Sequence, residues 1–161
     1  MGLSAEQKYS KSYAAIAKAI RLYCPTEHLR SSLDQLFDSV ALSCIVGNGD
    51  AHLKNFGLLY SDPTQRDARL APAYDIVNTT AYIPDDVLAL DLLGNKSLFA
   101  SRQGLLEFAK TCDVDQPKAR ILRLLAAQEV VLARFPELCE QAPQVAAAIR
   151  ASAQPFIKTF G

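Results

Sequence analysis

At 161 residues, 50% of them hydrophobic and 21% charged, the chain carries enough apolar material for one domain with a sizeable core, which excludes a disordered tract. Seventeen basic residues balance seventeen acidic ones, so no net positive field draws it onto nucleic acid; the small cluster Lys118, Arg120 and Arg123 reads as the wet side of a helix. No apolar run reaches the ~20 residues of a membrane span, and Cys24, Cys44, Cys112 and Cys139, with no CxxC pair and no signal peptide, read as reduced, mostly buried thiols of a cytoplasmic protein.

Along the chain, Tyr13, Ile16, Ile20 and Tyr23 recur at spacings of three and four, which predicts a helix over residues 5–23. Ser4 and Gln7 suggest its capping box, and Pro25 its stop. A second helix is expected from Ser31 or Ser32 to Val46. Leu33, Leu36, Phe37, Val40, Ala41 and Cys44 share one face of it, Leu42, Ile45 and Val46 widen the stripe, and Gly47 ends it. A stripe that wide belongs to a central helix.

Residues 56–74 read as a β-hairpin, with strands at Phe56–Tyr60 and Arg69–Tyr74 and a turn-rich tip between them. Pro72 confines the returning strand to an edge. Val87–Leu93 is a candidate third strand, closed by Gly94 and Asn95. The remainder, 101–160, is helical: Ser101 or Arg102 to Cys112, a helix launched by Asp115 and Pro117 and broken at Pro136, and a last one from Pro143 that Pro155 would kink or end. The expected fold is mostly α with a small β-hairpin insertion, an α+β arrangement in one domain over residues 2–161.

Between the second helix and the hairpin lies "VGNGDAHLKNF", residues 46–56, an acid, an imidazole, an amine and two amides in one loop. Strands of similar length run out and back over similar distances, so Asp75, after the second strand, is expected beside Asn55, before the first. Asp50, Asn55 and Asp75 then face one small volume. Two acids and an amide are hard oxygen donors of the kind Mg²⁺ takes alongside phosphate, and His52 and Lys54 add donors suited to an anion. In kinase catalytic loops an acid orients the attacking hydroxyl, while an asparagine five residues on and a later acid hold Mg²⁺ against ATP.

"GNGDAHLKNFGLLY" followed by "LAPAYDIVNT", with the later "LALDLLGNK", resembles the HipA-like serine/threonine kinases, and the likeness spans nearly the whole chain. The resemblance implies the C-terminal lobe of a protein-kinase-like fold, with a catalytic loop at 47–55, the hairpin at 56–74 and a metal-binding acid at 75. It implies Asp50 as catalytic base, Asn55 and Asp75 on Mg²⁺, and His52 and Lys54 toward the ATP phosphates. For His52 a structural imidazole bonded to the loop weighs evenly against phosphate contact. For Lys54 a solvated or salt-bridging side chain, with Asp50 as one partner, stands beside the family role. The implied reaction moves the γ-phosphoryl of ATP to a protein hydroxyl, and the resemblance points toward a translation component as substrate.

The chain has seven glycines but no GxGxxG arrangement. The likeness is therefore to half an enzyme, inactive unless an N-lobe is joined to it or encoded separately. The competing reading is a non-catalytic helical module that binds a partner, an antitoxin among them, without contacting nucleic acid or membrane directly. Either way, an apolar strip near 56–60 or 76–93 is expected to be exposed. A metal hydrolase is disfavoured, because His28 and His52 are the only imidazoles.

Overall fold

The computed structural model describes residues 9, 11–62, 64–98 and 101–161. Among the described residues six α-helices run in chain order as α1 (Tyr13–Tyr23), α2 (Thr26–Val46), α3 (Ser101–Thr111), α4 (Pro117–Arg134), α5 (Pro136–Gln141) and α6 (Pro143–Phe160). Between α2 and α3 come a 3-10 turn at Leu53–Asn55 and two short strands, β1 (Leu58–Leu59) and β2 (Arg69–Leu70). The described residues are mostly helical, with one two-stranded antiparallel sheet. None of these helices is long and apolar enough to cross a membrane.

α2 is the hub. Leu36, Phe37, Val40, Ala41 and Ile45 are wholly buried, and the helix packs against α1, α3, α4, α6 and β2. Its far side is clamped by charge: Arg120 of α4 reaches Asp34 and Asp38 of α2 at 2.9 Å each, so this member of the basic cluster is turned inward rather than solvated. Burial of an arginine is tolerated where a carboxylate meets its fork. Tyr13, Phe108, Ile121 and Phe156 close the core around α2 from α1, α3, α4 and α6.

Several expected boundaries move. The α-helix α1 begins at Tyr13, because Lys11 and Ser12 pair with Asp91 and Ser12 caps the helix by accepting from the Ala15 N–H at 3.3 Å. Ser4 and Gln7 lie outside the described residues. Tyr23, expected on the buried face of α1, is exposed. α2 starts five residues earlier than Ser31, at Thr26 behind Pro25, which places His28 in its first turns rather than in a loop. Ser32, one of the two expected starts, lies inside the helix: it is buried and its Oγ accepts from the Leu70 N–H of β2.

The strands are shorter than expected, with Leu58 opposite Leu70 and Leu59 opposite Arg69. Pairing ends at the Ala71 N–H to Gly57 carbonyl bond, and there Gln35 of α2 takes the Ala71 carbonyl. Residues 87–93 do not form a strand. Leu88, Leu90 and Leu92 are buried, yet the backbone folds on itself through Leu88 to Lys96 and Leu92 to Asn95, with a single bridge to Ser12. Positive φ at Leu93 and Gly94 makes that reversal. Pro155 sits inside α6 without ending it, flanked by the buried Ala153 and Phe156, whose packing outweighs the missing N–H.

α2 ends where the site begins. Gly47 takes φ 74° and ψ 43°, and a Cβ there would press on Ser152 Oγ and stand 2.6 Å from Thr80 Oγ1. Gly47→Ala is therefore expected to cost about 1–3 kcal/mol, from left-handed strain and crowding together. Urea unfolding of the variant against wild type measures it.

Candidate active site

The last turn of any helix leaves carbonyls without partners, and here the loop 78–80 supplies them. Asn78 Nδ2 donates to the Val46 carbonyl at 2.6 Å, and the Thr79 N–H donates to the Gly47 carbonyl at 3.0 Å. In return the Gly49 N–H donates to Thr79 Oγ1 at 2.8 Å. Asn48 is fully buried, its N–H bonded back to the Ser43 carbonyl and its Oδ1 accepting from the Asp50 N–H at 3.0 Å. This side chain imitates a turn and fixes the direction in which the chain leaves. Gly49 admits no side chain, because the Asp86 carboxylate occupies that space and the Val87 carbonyl stands 2.7 Å from an added Cβ.

Asp50 emerges half-buried from this stitched turn. Two tyrosines reach the same stretch from the start of the chain. Tyr13 donates its hydroxyl to the Ala51 carbonyl at 3.1 Å, and Tyr9 donates to Asp50 Oδ1 at 3.1 Å. Burial pushes the Tyr13 hydroxyl well above the usual tyrosine range, with the nearby Cys44 adding to it, so it remains a neutral donor.

The His52 N–H then bonds both the Asp50 carbonyl at 2.8 Å and Asn55 Oδ1 at 2.9 Å, closing the 3-10 turn. Asn55 Nδ2 donates to Asp75 Oδ2 at 2.8 Å, across twenty residues of sequence. Tyr74 reinforces the approach by donating its hydroxyl to the Lys54 carbonyl. Asp75 is exposed and holds φ at 56°, a left-handed conformation that aspartate tolerates better than most residues at a cost of order 1 kcal/mol.

The five residues singled out in the sequence thus separate. Asn55 and Asp75 are in direct contact, and Asp50 joins them through His52. His52 is 8% exposed, its ring edge-on to Tyr9 with centroids 5.6 Å apart, so its backbone and packing belong to the loop. Lys54 is exposed and makes no ion pair among the described residues, with Asp50 or otherwise. Tyr9, Asn78 and Thr79 were missed, since nothing in spacing or residue type links them to residue 50; Asn48 stood in the quoted loop, and an asparagine two residues ahead was the available sign of its turn. Among the described residues no cluster of three or more His, Cys, Asp or Glu side chains is placed to hold a metal. Cys44 and Cys112 are pushed up to about 12, chiefly by burial, which removes both as nucleophiles at neutral pH.

The model of the HipA-like C-terminal domain matches residues 1–146. The chain belongs to that family. Among relatives, this HipA-like domain is 31% identical over 118 residues to a Sinorhizobium fredii protein named "Putative kinase Y4dM", covering 71% of the chain and 27% of the relative. It is 34% identical over 108 residues to the same organism's "Putative kinase Y4mE", covering 64% and 25%. The domain thus spans about a quarter of the length of these relatives. Its fold is similar to a chain in the Shewanella oneidensis complex of HipA, HipB and operator DNA, with a TM-score of 0.71 at 16% identity over 98% of this chain and 38% of that one.

Asn55→Ala removes the bond to the Asp75 carboxylate and one of two acceptors for the buried His52 N–H. Stability is expected to fall by about 1–3 kcal/mol, with amide exchange at His52 accelerating more than exchange in α4.

Proposed function

We propose that this chain is the C-terminal lobe of a HipA-like serine/threonine protein kinase, transferring the γ-phosphoryl of ATP to a protein hydroxyl. The observation that carries the reading is the Asn55 to Asp75 hydrogen bond at 2.8 Å, with Asp75 held in a left-handed backbone and the Asp50 carbonyl bonded to the same His52 N–H that holds Asn55. Backbone strain at an exposed acid is the kind of outlier that clusters at functional sites. Membership of the HipA-like family and the kinase names of its relatives support the same reaction class.

The side chains fit a divalent cation. Asp75 keeps Oδ1 clear of the Asn55 bond, and Asn55 Oδ1, accepting one backbone N–H, retains a second lone pair. Mg²⁺ takes one or two protein oxygens and draws the rest from water and phosphate, so Asn55 and Asp75 would hold it. When bound, it would neutralise charge on the nucleotide phosphates.

The chain's own residues do the rest. Asp50 has one oxygen tied to Tyr9, leaving the other to accept the proton of the acceptor hydroxyl. As that O–H bond breaks, the acceptor oxygen bonds to the γ-phosphorus, and the bond to the bridging oxygen breaks with its electron pair leaving on ADP. Catalysis of this kind rests on positioning, which the stitched turn from Gly47 to Asp50 supplies. Lys54, exposed and unpaired by any acid among the described residues, is assigned to the anionic substrate; His52 is assigned to holding the loop.

The nucleotide-covering half of the site lies outside these elements. Tyr74, Ile76, Val77, Tyr82, Ile83 and Val87, all in the segment 74–87 that contains Asp75, are exposed, apolar surface suited to a second lobe. The same surface favours one alternative, a non-catalytic module that binds a partner such as an antitoxin through it. We assign the phosphorylated protein to the translation apparatus on resemblance alone.

With a nucleotide-covering lobe of the family present, Asp50→Ala and Asp75→Ala are expected to lower phosphoryl transfer by roughly 10²–10⁴-fold while circular dichroism is unchanged. Wild-type rates in either variant would remove the mechanism. The chain by itself is expected to bind Mg-ATP weakly, and tight binding by calorimetry would contradict the half-site reading. Capture of a partner with no transfer in the assembled system favours the binding module.

A further inference from the structure

We propose that Tyr9 is a positioning residue for Asp50 and, through His52, for Asn55, an inference that rests on the kinase reading above. Nothing in the loop itself anchors the Asp50 side chain. Its backbone is fixed from both sides by Asn48 and His52, but the carboxylate meets one described donor, the Tyr9 hydroxyl at 3.1 Å, forty-one residues away in sequence. A hydroxyl donating to a carboxylate forms a charge-assisted bond with a preferred direction. It commits Oδ1 and so decides which way Oδ2 points. A base that must meet an incoming hydroxyl at 2.6–3.2 Å gains from having that rotation settled beforehand.

The ring of Tyr9 does a second job. It stands edge-on to His52 with centroids 5.6 Å apart and planes at 73°, within the range of favourable aromatic pairs. The His52 N–H holds Asn55 Oδ1, and Asn55 holds Asp75. One side chain therefore touches the acid of the loop by its hydroxyl and the arm leading to the other acid by its ring. Moving it disturbs both.

Tyr9 is itself held by the fold. Lys96 Nζ bonds the Ala89 carbonyl at 2.9 Å and reaches the Tyr9 carbonyl at 3.5 Å. Immediately after, the Asp91 N–H donates to the Lys11 carbonyl and the Tyr13 N–H to the Asp91 carbonyl at 3.1 Å. Tyr9, Lys11 and Tyr13 are thus laced to the folded-back 88–96 stretch, and the buried Leu88, Leu90 and Leu92 fix that stretch in the core. This gives the loop 88–96 a role through Tyr9.

The test separates the hydroxyl from the ring. In the chain as it stands, with ¹³C-labelled aspartate and the Asp50 signal assigned by its loss in Asp50→Asn, Tyr9→Phe is expected to shift the Asp50 carboxyl resonance. The Asp113 and Asp115 resonances should stay in place. Tyr9→Leu is expected to shift the Asp50 and Asp75 resonances together, because the ring contact to His52 is lost as well. Tyr23→Phe, at an exposed position on α1, should move neither. An unshifted Asp50 resonance in Tyr9→Phe overturns the proposal. In the assembled kinase, Tyr9→Phe is expected to lower kcat roughly tenfold, the effect of one charge-assisted hydrogen bond, with KM for ATP and the unfolding midpoint unchanged. Unchanged kcat where Asp50→Ala abolishes transfer overturns the role of Tyr9 and leaves the kinase reading intact. No transfer by the wild-type assembly sinks the kinase reading and, with it, the catalytic meaning of the contact.

Discussion

A primary amide can accept on one side and donate on the other, and Asn55 uses both. Its oxygen takes the His52 N–H, which ties it to the turn leaving α2, and its nitrogen holds the Asp75 carboxylate at the end of the returning chain. An acid at 55 would repel Asp75 and a serine would not span both partners, so the pairing demands this residue type. Everything around it serves to bring these two segments within reach of one side chain. α2 delivers one of them from the middle of the core, β1 and β2 return the other, and Tyr74 closes the gap through the Lys54 carbonyl.

Much of this was legible in the sequence because it depends on periodicity and on length. The wide apolar stripe from Leu33 to Ile45 identified α2 as central, and Gly47 marked its end. The return of Asp75 to Asn55 followed from counting residues out and back, although only two residues on each side actually pair. The count survived the error because what matters is where the chain comes back, and Gln35 guides Ala71 along α2 once the ladder has stopped.

Two misreadings have different causes. The second helix was expected to start at Ser31 or Ser32, but Ser32 lies inside α2 and spends its hydroxyl on β2. Alternation at Val87–Leu93 suggested a strand, but Leu88, Leu90 and Leu92 are buried in a segment that bonds to itself. In the first case a local preference was redirected by a partner distant in sequence; in the second the segment closed on its own neighbours, Asn95 and Lys96. Tyr9, Asn78 and Thr79 are the extreme of the first: their whole contribution to the loop is made across thirty or more residues, so no window of sequence contains both ends of the contact.

The two glycines that bracket Asn48 are confined for unrelated reasons, one by its dihedral angle and the other by the carboxylate of Asp86 standing where a side chain would begin. Neither offers a functional group. In a saturation-mutagenesis map both would nonetheless stand out as intolerant as the acid that follows them, and such a profile would blur geometry with chemistry. Positions 47 and 49 answer to backbone and steric exclusion, whereas the polar residues at 48 and from 50 onward answer to the partners they hold.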